Sequence, residues 1–155
     1  MEDKETTDFI MEIENRRGGK MKYRTYSTWF ADNSGNIREY GVFLYQIDRT
    51  FYFEDFEKEN RIFGIPLSRK KKNQKEYVKL EGSFKVEDVK SITLVSKNSA
   101  LGYCQSKNIS NLPSPANVFS KLFNRLITMV ELEGEKVLFL ELIDQKKFNQ
   151  IMEEK

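Results

Sequence analysis

Hydrophobic and polar residues alternate along most of the chain. This pattern predicts β-strands, because successive side chains of a strand point to opposite faces of a sheet. The clearest example is residues 127–142, two strand-like runs on either side of a Glu-Gly-Glu turn. Residues 21–47 predict a second hairpin around the polar segment 32–36, since Asn and Gly favour tight turns. Further strands are predicted at 51–53, 61–67, 77–86 and 90–97, and a short strand is an option at 100–104.

One amphipathic helix is predicted within residues 115–126. Ser114 can cap its first turn and Pro115 suits its first position. Apolar residues then recur at spacings of three and four, with Lys121 and Arg125 opposite the apolar stripe. A helix that docks on a membrane surface or in a partner's groove has this pattern too. We favour a helix that packs on the sheet.

The chain ends in a second predicted helix. Asp144 caps it, and Phe148, Ile151 and Met152 share one face that can plug an open corner of a bent sheet. The first segment with a pattern, residues 7–14, could be a strand or a helical turn.

These elements predict a mostly β fold with a minor α component. We expect a strongly bent antiparallel sheet, or partly open barrel, of about seven strands, closed by the C-terminal helix and carrying the inserted helix near 115–126. No internal repeat or linker divides the chain, so residues 1–155 are predicted to form a single domain, with 1–20 as a candidate mobile N-terminal extension.

Composition narrows the chemistry. The chain has no His and a single Cys, Cys104, so Cys–His nucleophiles and zinc sites built on Cys and His are excluded. It also lacks a Gly-rich phosphate loop, a nucleophile elbow and the spacing of a calcium loop. We therefore predict a non-enzymatic protein without a cofactor or a metal site.

Charge and targeting signals predict a cytoplasmic protein. The net charge of +2 is too small for a global field that drives binding to nucleic acid or membranes. The sequence contains no run of 18 apolar residues, so no transmembrane helix is predicted. The first residues are acidic and lack the basic and then apolar order of a signal peptide. The lone Cys fits a reducing compartment.

Three stretches resemble the pleckstrin-homology-like (PH-like) superfold, which includes the lipid-binding GRAM type and small bacterial versions. They are GVFLYQIDRTFYFED (41–55), FKVEDVKSITLVSK (84–97) and KVLFLELIDQKKFNQIMEE (136–154). The first is similar to the family's pattern of a strand, an Asp-Arg turn and an aromatic strand. The second is similar to its polar bend followed by a strand, and the third to its last strand and closing helix. The resemblance implies a binding module, and it implies that basic loops between early strands can hold an inositol phosphate.

Two basic clusters are the candidate anion-binding or phosphate-binding residues, because Lys and Arg hold phosphates by charge-assisted hydrogen bonds. We nevertheless favour a solvated loop for the second cluster and a disordered N-terminal junction for the first. The first cluster flanks a Gly-Gly turn, whose amides could form an anion-binding nest. The clusters are Arg16, Arg17 and Lys20, and Arg69, Lys70, Lys71, Lys72 and Lys75.

We predict a docking module and favour a protein partner over an anionic membrane, because the net charge is small and the cations are split between two loops. The oligomeric state stays open. One alternative is a nucleic-acid-binding β-barrel that uses the same cations with Tyr23 and Trp29, which we instead assign to the core. A second is a carboxylate-dependent metal enzyme, whose acidic clusters at 54–59 and 131–135 we interpret as solvated faces.

Overall fold

The computed structural model describes residues 4–55, 61–62, 65–66, 78–106 and 111–154, with the backbone alone for Tyr40, 61–62 and 65–66. The helices are α1 (Lys4–Arg17), α2 (Lys97–Ser106), α3 (Val118–Phe123) and α4 (Gln145–Glu153). The strands are β1 (Met21–Asp32), β2 (Ile37–Ile47), β3 (Thr50–Asp55), β4 (Arg61–Ile62), β5 (Ile65–Pro66), β6 (Glu81–Lys85), β7 (Val89–Ser96), β8 (Leu126–Leu132) and β9 (Val137–Leu142).

Seven of these strands form one antiparallel sheet, in the order β6-β3-β2-β1-β9-β8-β7, and β4 pairs with β5 separately. Strands β6 and β7 lie at opposite edges of the sheet, yet only the short 3-10 turn Val86–Asp88 joins them. The four Cα–Cα steps from Lys85 to Val89 reach about 14 Å at most, so the sheet must bend until its edges approach each other. The predicted mostly β fold with a strongly bent antiparallel sheet is confirmed.

Helix α4 closes the bent sheet as predicted. Phe148 is fully buried and Met152 is 7% exposed, while Ile151 packs against the same core. The Phe148 ring lies 5.4 Å from the ring of Phe51, centroid to centroid. Asp144 caps the helix by accepting a hydrogen bond from the Lys147 amide at 3.3 Å. This core is therefore assembled from strands distant in sequence and one terminal helix.

Helices α1 and α2 cover two outer areas of the sheet. Ile13 of α1 is 1% exposed and packs with Tyr45 and its neighbours on β2. Helix α2 buries Ala100 and Tyr103 against a second outer cluster, where the Tyr103 ring lies 5.7 Å from that of Phe139. The domain thus has an inner core and two outer clusters.

Two segments for which the sequence analysis allowed a strand are helical. Residues 7–14 belong to α1, which buries Ile13. Residues 100–104 lie inside α2, so the strand considered there is wrong. Ser96 favours a helix start at this point, because its hydroxyl accepts a hydrogen bond from the Ser99 amide at 3.2 Å. The buried Ala100 and Tyr103 then follow at helical spacing.

Candidate functional site

The two arginines of the first predicted cation cluster lie at the C-terminal end of α1 and contact the domain itself. Arg16 donates a hydrogen bond of 2.7 Å to Glu54 Oε1. Arg17 donates from Nε to the Tyr45 hydroxyl at 3.1 Å, and its guanidinium lies 4.4 Å from the centroid of the Tyr52 ring. Tyr45 in turn donates to Glu54 at 3.0 Å. Both arginines therefore tie α1 to β2 and β3.

The Gly-Gly turn next to these arginines ends α1. Gly18 has a φ of 75°, and the amides of Gly18 and Gly19 donate to the Glu14 carbonyl at 2.8 and 3.2 Å. Lys20 Nζ lies 2.7 Å from Glu14 Oε2, and the hydrogen bond from Lys20 lowers the pKa of Glu14. The anion site at this turn stays a prediction, and in this conformation its cations and amides all have intramolecular partners.

The second predicted cation cluster lies outside the described residues. It consists of Arg69, Lys70, Lys71, Lys72 and Lys75. Two acidic residues of the segment 54–59, Glu57 and Glu59, also lie outside the described residues. The roles assigned to these residues from the sequence stay predictions.

The interpretation of Glu54 and Asp55 as a solvated acidic loop is wrong. They end β3 and are 6% and 8% exposed. Besides Arg16, Glu54 pairs with Lys79 at 3.3 Å, and Asp55 accepts a hydrogen bond from Arg38 Nε at 3.2 Å. The strand pairing of β3 brings these carboxylates under the cations of neighbouring segments. Their pairing gives them a structural role.

Helix α3 presents its apolar residues to solvent, so the expectation that it packs on the sheet is wrong. Val118, Phe119, Leu122 and Phe123 are between 69% and 76% exposed. They share one face, because a helix turns by about 100° per residue, and we call these four residues the α3 face. Ser120, on the opposite side, is half-buried. The helix therefore turns its apolar side away from the domain.

Hydrogen bonds hold α3 at both ends against the end of β7. The Ala116 amide donates to the Leu94 carbonyl at 2.8 Å, just before the helix. The Lys97 amide donates to the Arg125 carbonyl at 2.8 Å, just after it. Asn117 caps the first turn by accepting a hydrogen bond through its side chain at 2.7 Å. The orientation of the α3 face is thus determined by the backbone on both sides.

The α3 face is a continuous apolar surface. The rings of Phe119 and Phe123 contact each other with centroids 4.7 Å apart. From the exposed fractions, the four side chains present about 500 Å² of apolar surface. Patches of this size on a monomer are often functional. The face is therefore the strongest candidate for an interaction site among the described residues.

The stretch of sequence that contains α3 carries charge of one sign. Residues 97–125 hold four basic residues and no acidic residue, leaving 22 of the 26 basic residues against all 24 acidic residues elsewhere. Lys97, Lys121 and Arg125 are the basic residues of this stretch that the structure describes, and Arg125 pairs with Glu141. This local excess is visible in the sequence, and it is the signal that could have drawn attention to α3. The small net charge of the whole chain conceals it.

Other candidate chemistries find little support in the described part of the chain. Tyr23 and Trp29 are 2% and 1% exposed, so their assignment to the core is confirmed. Cys104 is half-buried, and burial raises the pKa of its thiol. Among the described residues, no group of three or more acidic or Cys side chains is placed to hold a metal ion. None of the described helices has the length and hydropathy to cross a membrane.

Comparisons of the chain with protein-family models, curated proteins and solved structures gave no significant match. Its function has to be inferred from the geometry of the α3 face and the charges around it.

Proposed function

We propose that this protein is a non-enzymatic docking module that binds its partner through the α3 face. The observation that carries the proposal is the exposure of four large apolar residues on one side of a six-residue helix. Inside an ordinary domain these residues would pack against the sheet, as those of α4 do. An apolar face held away from the domain supports a role in contact with another surface.

The size of the α3 face suits reversible binding. Covering about 500 Å² of apolar surface is worth about 12 kcal/mol as an upper limit, at 25 cal/mol per Å². Association costs about 4–15 kcal/mol in lost translational and rotational freedom. The two quantities are of similar size, so the face alone supports weak or moderate affinity, and contacts around it would raise the affinity.

The hydrogen bonds at both ends of α3 favour binding, because they fix the face before a partner arrives. Ala116 and Lys97 donate these bonds from the segments on either side. A binding surface that is already ordered loses less conformational entropy when it binds. This arrangement supports docking by the rigid domain.

The architecture also supports a binding module. The seven-stranded antiparallel sheet holds α3 through the hydrogen bond between Ala116 and Leu94 of β7. The alternative of a nucleic-acid-binding protein is weakened, because the buried rings of Tyr23 and Trp29 cannot stack on a base. Docking is therefore the function that the geometry supports best.

Photo-crosslinking from the α3 face tests the proposal. Phe119 is replaced by the photoreactive residue benzoylphenylalanine in cells that express the protein, and Val78, which is 70% exposed on another segment, serves as the matched control position. We expect irradiation to produce a defined adduct from position 119 but not from position 78. Mass analysis then tells a protein adduct from a lipid adduct. If both positions give the same background, α3 has no partner and the proposal is wrong.

A further inference from the structure

We propose that the α3 face inserts into the interfacial layer of an anionic lipid bilayer, an inference that rests on the proposed docking function and names its partner. Four apolar side chains at the outer side of a helix can enter the boundary between head groups and acyl chains. Two of the four are Phe, and aromatic and Leu side chains are typical of such faces. The basic residues next to this face favour an anionic bilayer over a neutral one.

The charge around α3 complements an anionic surface. Residues 97–125 contain no carboxylate side chain that would face anionic head groups, whereas the rest of the chain has two more acidic than basic residues. The stretch of sequence that carries the apolar helix is therefore positively charged, and the rest of the sequence is weakly negative. Basic residues close to the α3 face attract it towards an anionic plane.

Three described cations lie on α3 or next to its C-terminal end. Lys121 is on α3 outside the apolar face, and the Lys97 amide donates a backbone hydrogen bond to Arg125 just after the helix. Lys97 itself is half-buried, with Nζ 5.1 Å from the centroid of the Trp29 ring, so Lys121 is the cation of the three that carries this part of the inference. Arg125 also pairs with Glu141, which takes up part of its charge. Each cation near an anionic leaflet strengthens binding by about fivefold, and salt weakens this contribution.

A second copy of the chain fits the α3 face less well. A two-fold contact would bring two carboxylate-free, basic segments together, and like charges repel. The face offers about 500 Å² on each side, whereas stable interfaces bury about 800 Å² per partner. A bilayer needs no matching groove and supplies the opposite charge, so the observations favour it.

Sedimentation with lipid vesicles tests this inference on the full chain. The probes are vesicles of pure phosphatidylcholine and vesicles in which about a third of the lipid is phosphatidylserine. We expect the wild type to bind the anionic vesicles at low salt and to lose binding as salt rises. The double variant Phe119→Ser/Phe123→Ser should bind at least tenfold more weakly, and Lys121→Gln about fivefold more weakly. Val78→Ser, at an equally exposed position, should bind like the wild type.

Insertion is measured separately with Phe119→Trp and brominated lipids. Trp29, the chain's own tryptophan, is 1% exposed, so bromine in the acyl chains should quench the new residue alone. Circular dichroism confirms that each variant is folded, which we expect because the substituted side chains are exposed. Equal binding by wild type and the double Phe variant, or binding without quenching, would overturn insertion.

The outcomes also separate this inference from the docking proposal. If the wild type ignores anionic vesicles while position 119 crosslinks to a protein, the membrane inference is wrong and docking stands. A protein partner with an apolar groove and an acidic rim would then be the ligand. If the wild type does not bind anionic vesicles and position 119 gives no crosslink above background, both proposals are wrong.

Discussion

Phe148 and Phe119 allow the same substitution to be tested on a helix that packs inward and on one that faces outward. Phe148 of α4 is fully buried, with the rings of Phe51 and Tyr23 at 5.4 and 6.4 Å. Replacing it with Ala removes the whole ring and leaves a cavity between strands that cannot collapse freely. We expect Phe148→Ala to lower the free energy of unfolding by about 3–5 kcal/mol.

Phe119→Ala should have a far smaller effect on stability. This side chain is 69% exposed, and its ring contact is with Phe123, one helical turn further on. Pairs at this spacing stabilise a helix by about 0.2–0.5 kcal/mol, and Ala has the higher helix propensity. We therefore expect the free energy of unfolding to change by less than about 0.5 kcal/mol.

Urea unfolding followed by circular dichroism measures both variants. With a slope of about 2 kcal/mol per molar urea, Phe148→Ala should lower the unfolding midpoint by about 2 M, whereas Phe119→Ala should leave it nearly unchanged. The slopes should stay equal, which shows that both variants unfold from a compact native state. A loss of more than about 2 kcal/mol for Phe119→Ala would mean that α3 packs on the domain, and the outward orientation would be refuted.

Three further predictions concern the rest of the domain. Glu54→Gln weakens a buried charged cluster and should cost about 1.5–3 kcal/mol, whereas Glu87→Gln, at an exposed pair with Arg49, should cost much less. Equal costs in urea unfolding would contradict the role of the cluster. Gly82→Ala should cost about 1–3 kcal/mol, because a Cβ there collides with the Phe53 ring. Gly102→Ala, on α2, should stabilise the domain by up to about 1 kcal/mol, because nothing lies within 4 Å of the added Cβ. A thermal scan in which Gly82→Ala and Gly102→Ala both lose stability would refute the predicted difference between them. Burial raises the pKa of Tyr23, Tyr45 and Tyr103, so the folded state retains their protons more firmly than the unfolded state. The free energy of unfolding should therefore keep its full value below pH about 10 and fall above it. Denaturant titrations at rising pH, with tyrosinate absorbance, check this, and ionisation of all seven tyrosines without unfolding would contradict it.

Local patterns predicted much of the fold. The hairpin at 21–47, the hairpin at 127–142 and the closing helix after Asp144 all form where the sequence placed them. In each case the alternation, the turn residues and the cap lie within a few neighbouring residues, so they act without help from distant segments. The inserted helix near 115–126 was also correctly located, although it is shorter than predicted and is capped by Asn117, so the predicted start at Ser114 and Pro115 is wrong.

The candidate site was harder to predict than the fold. The basic residues chosen from the sequence at the end of α1 turned out to contact Glu54 and Tyr45, because β3 and β2 lie beneath them. The sequence shows that Arg16 and Arg17 are charged, but their partners lie 38 and 28 residues away along the chain. Pairings over such distances arise only when the sheet has formed.

The sequence by itself determined the two hairpins at 21–47 and 127–142, where these hairpins turn, and that an amphipathic helix precedes the last hairpin. The tertiary structure alone decided which way that helix faces. An amphipathic pattern is the same whether its apolar side meets the core or the solvent. The hydrogen bonds of Ala116 and Lys97 fix the helix at its two ends, and α4 already fills the inner core. The apolar residues of α3 therefore remain outside, and we propose that a partner covers them.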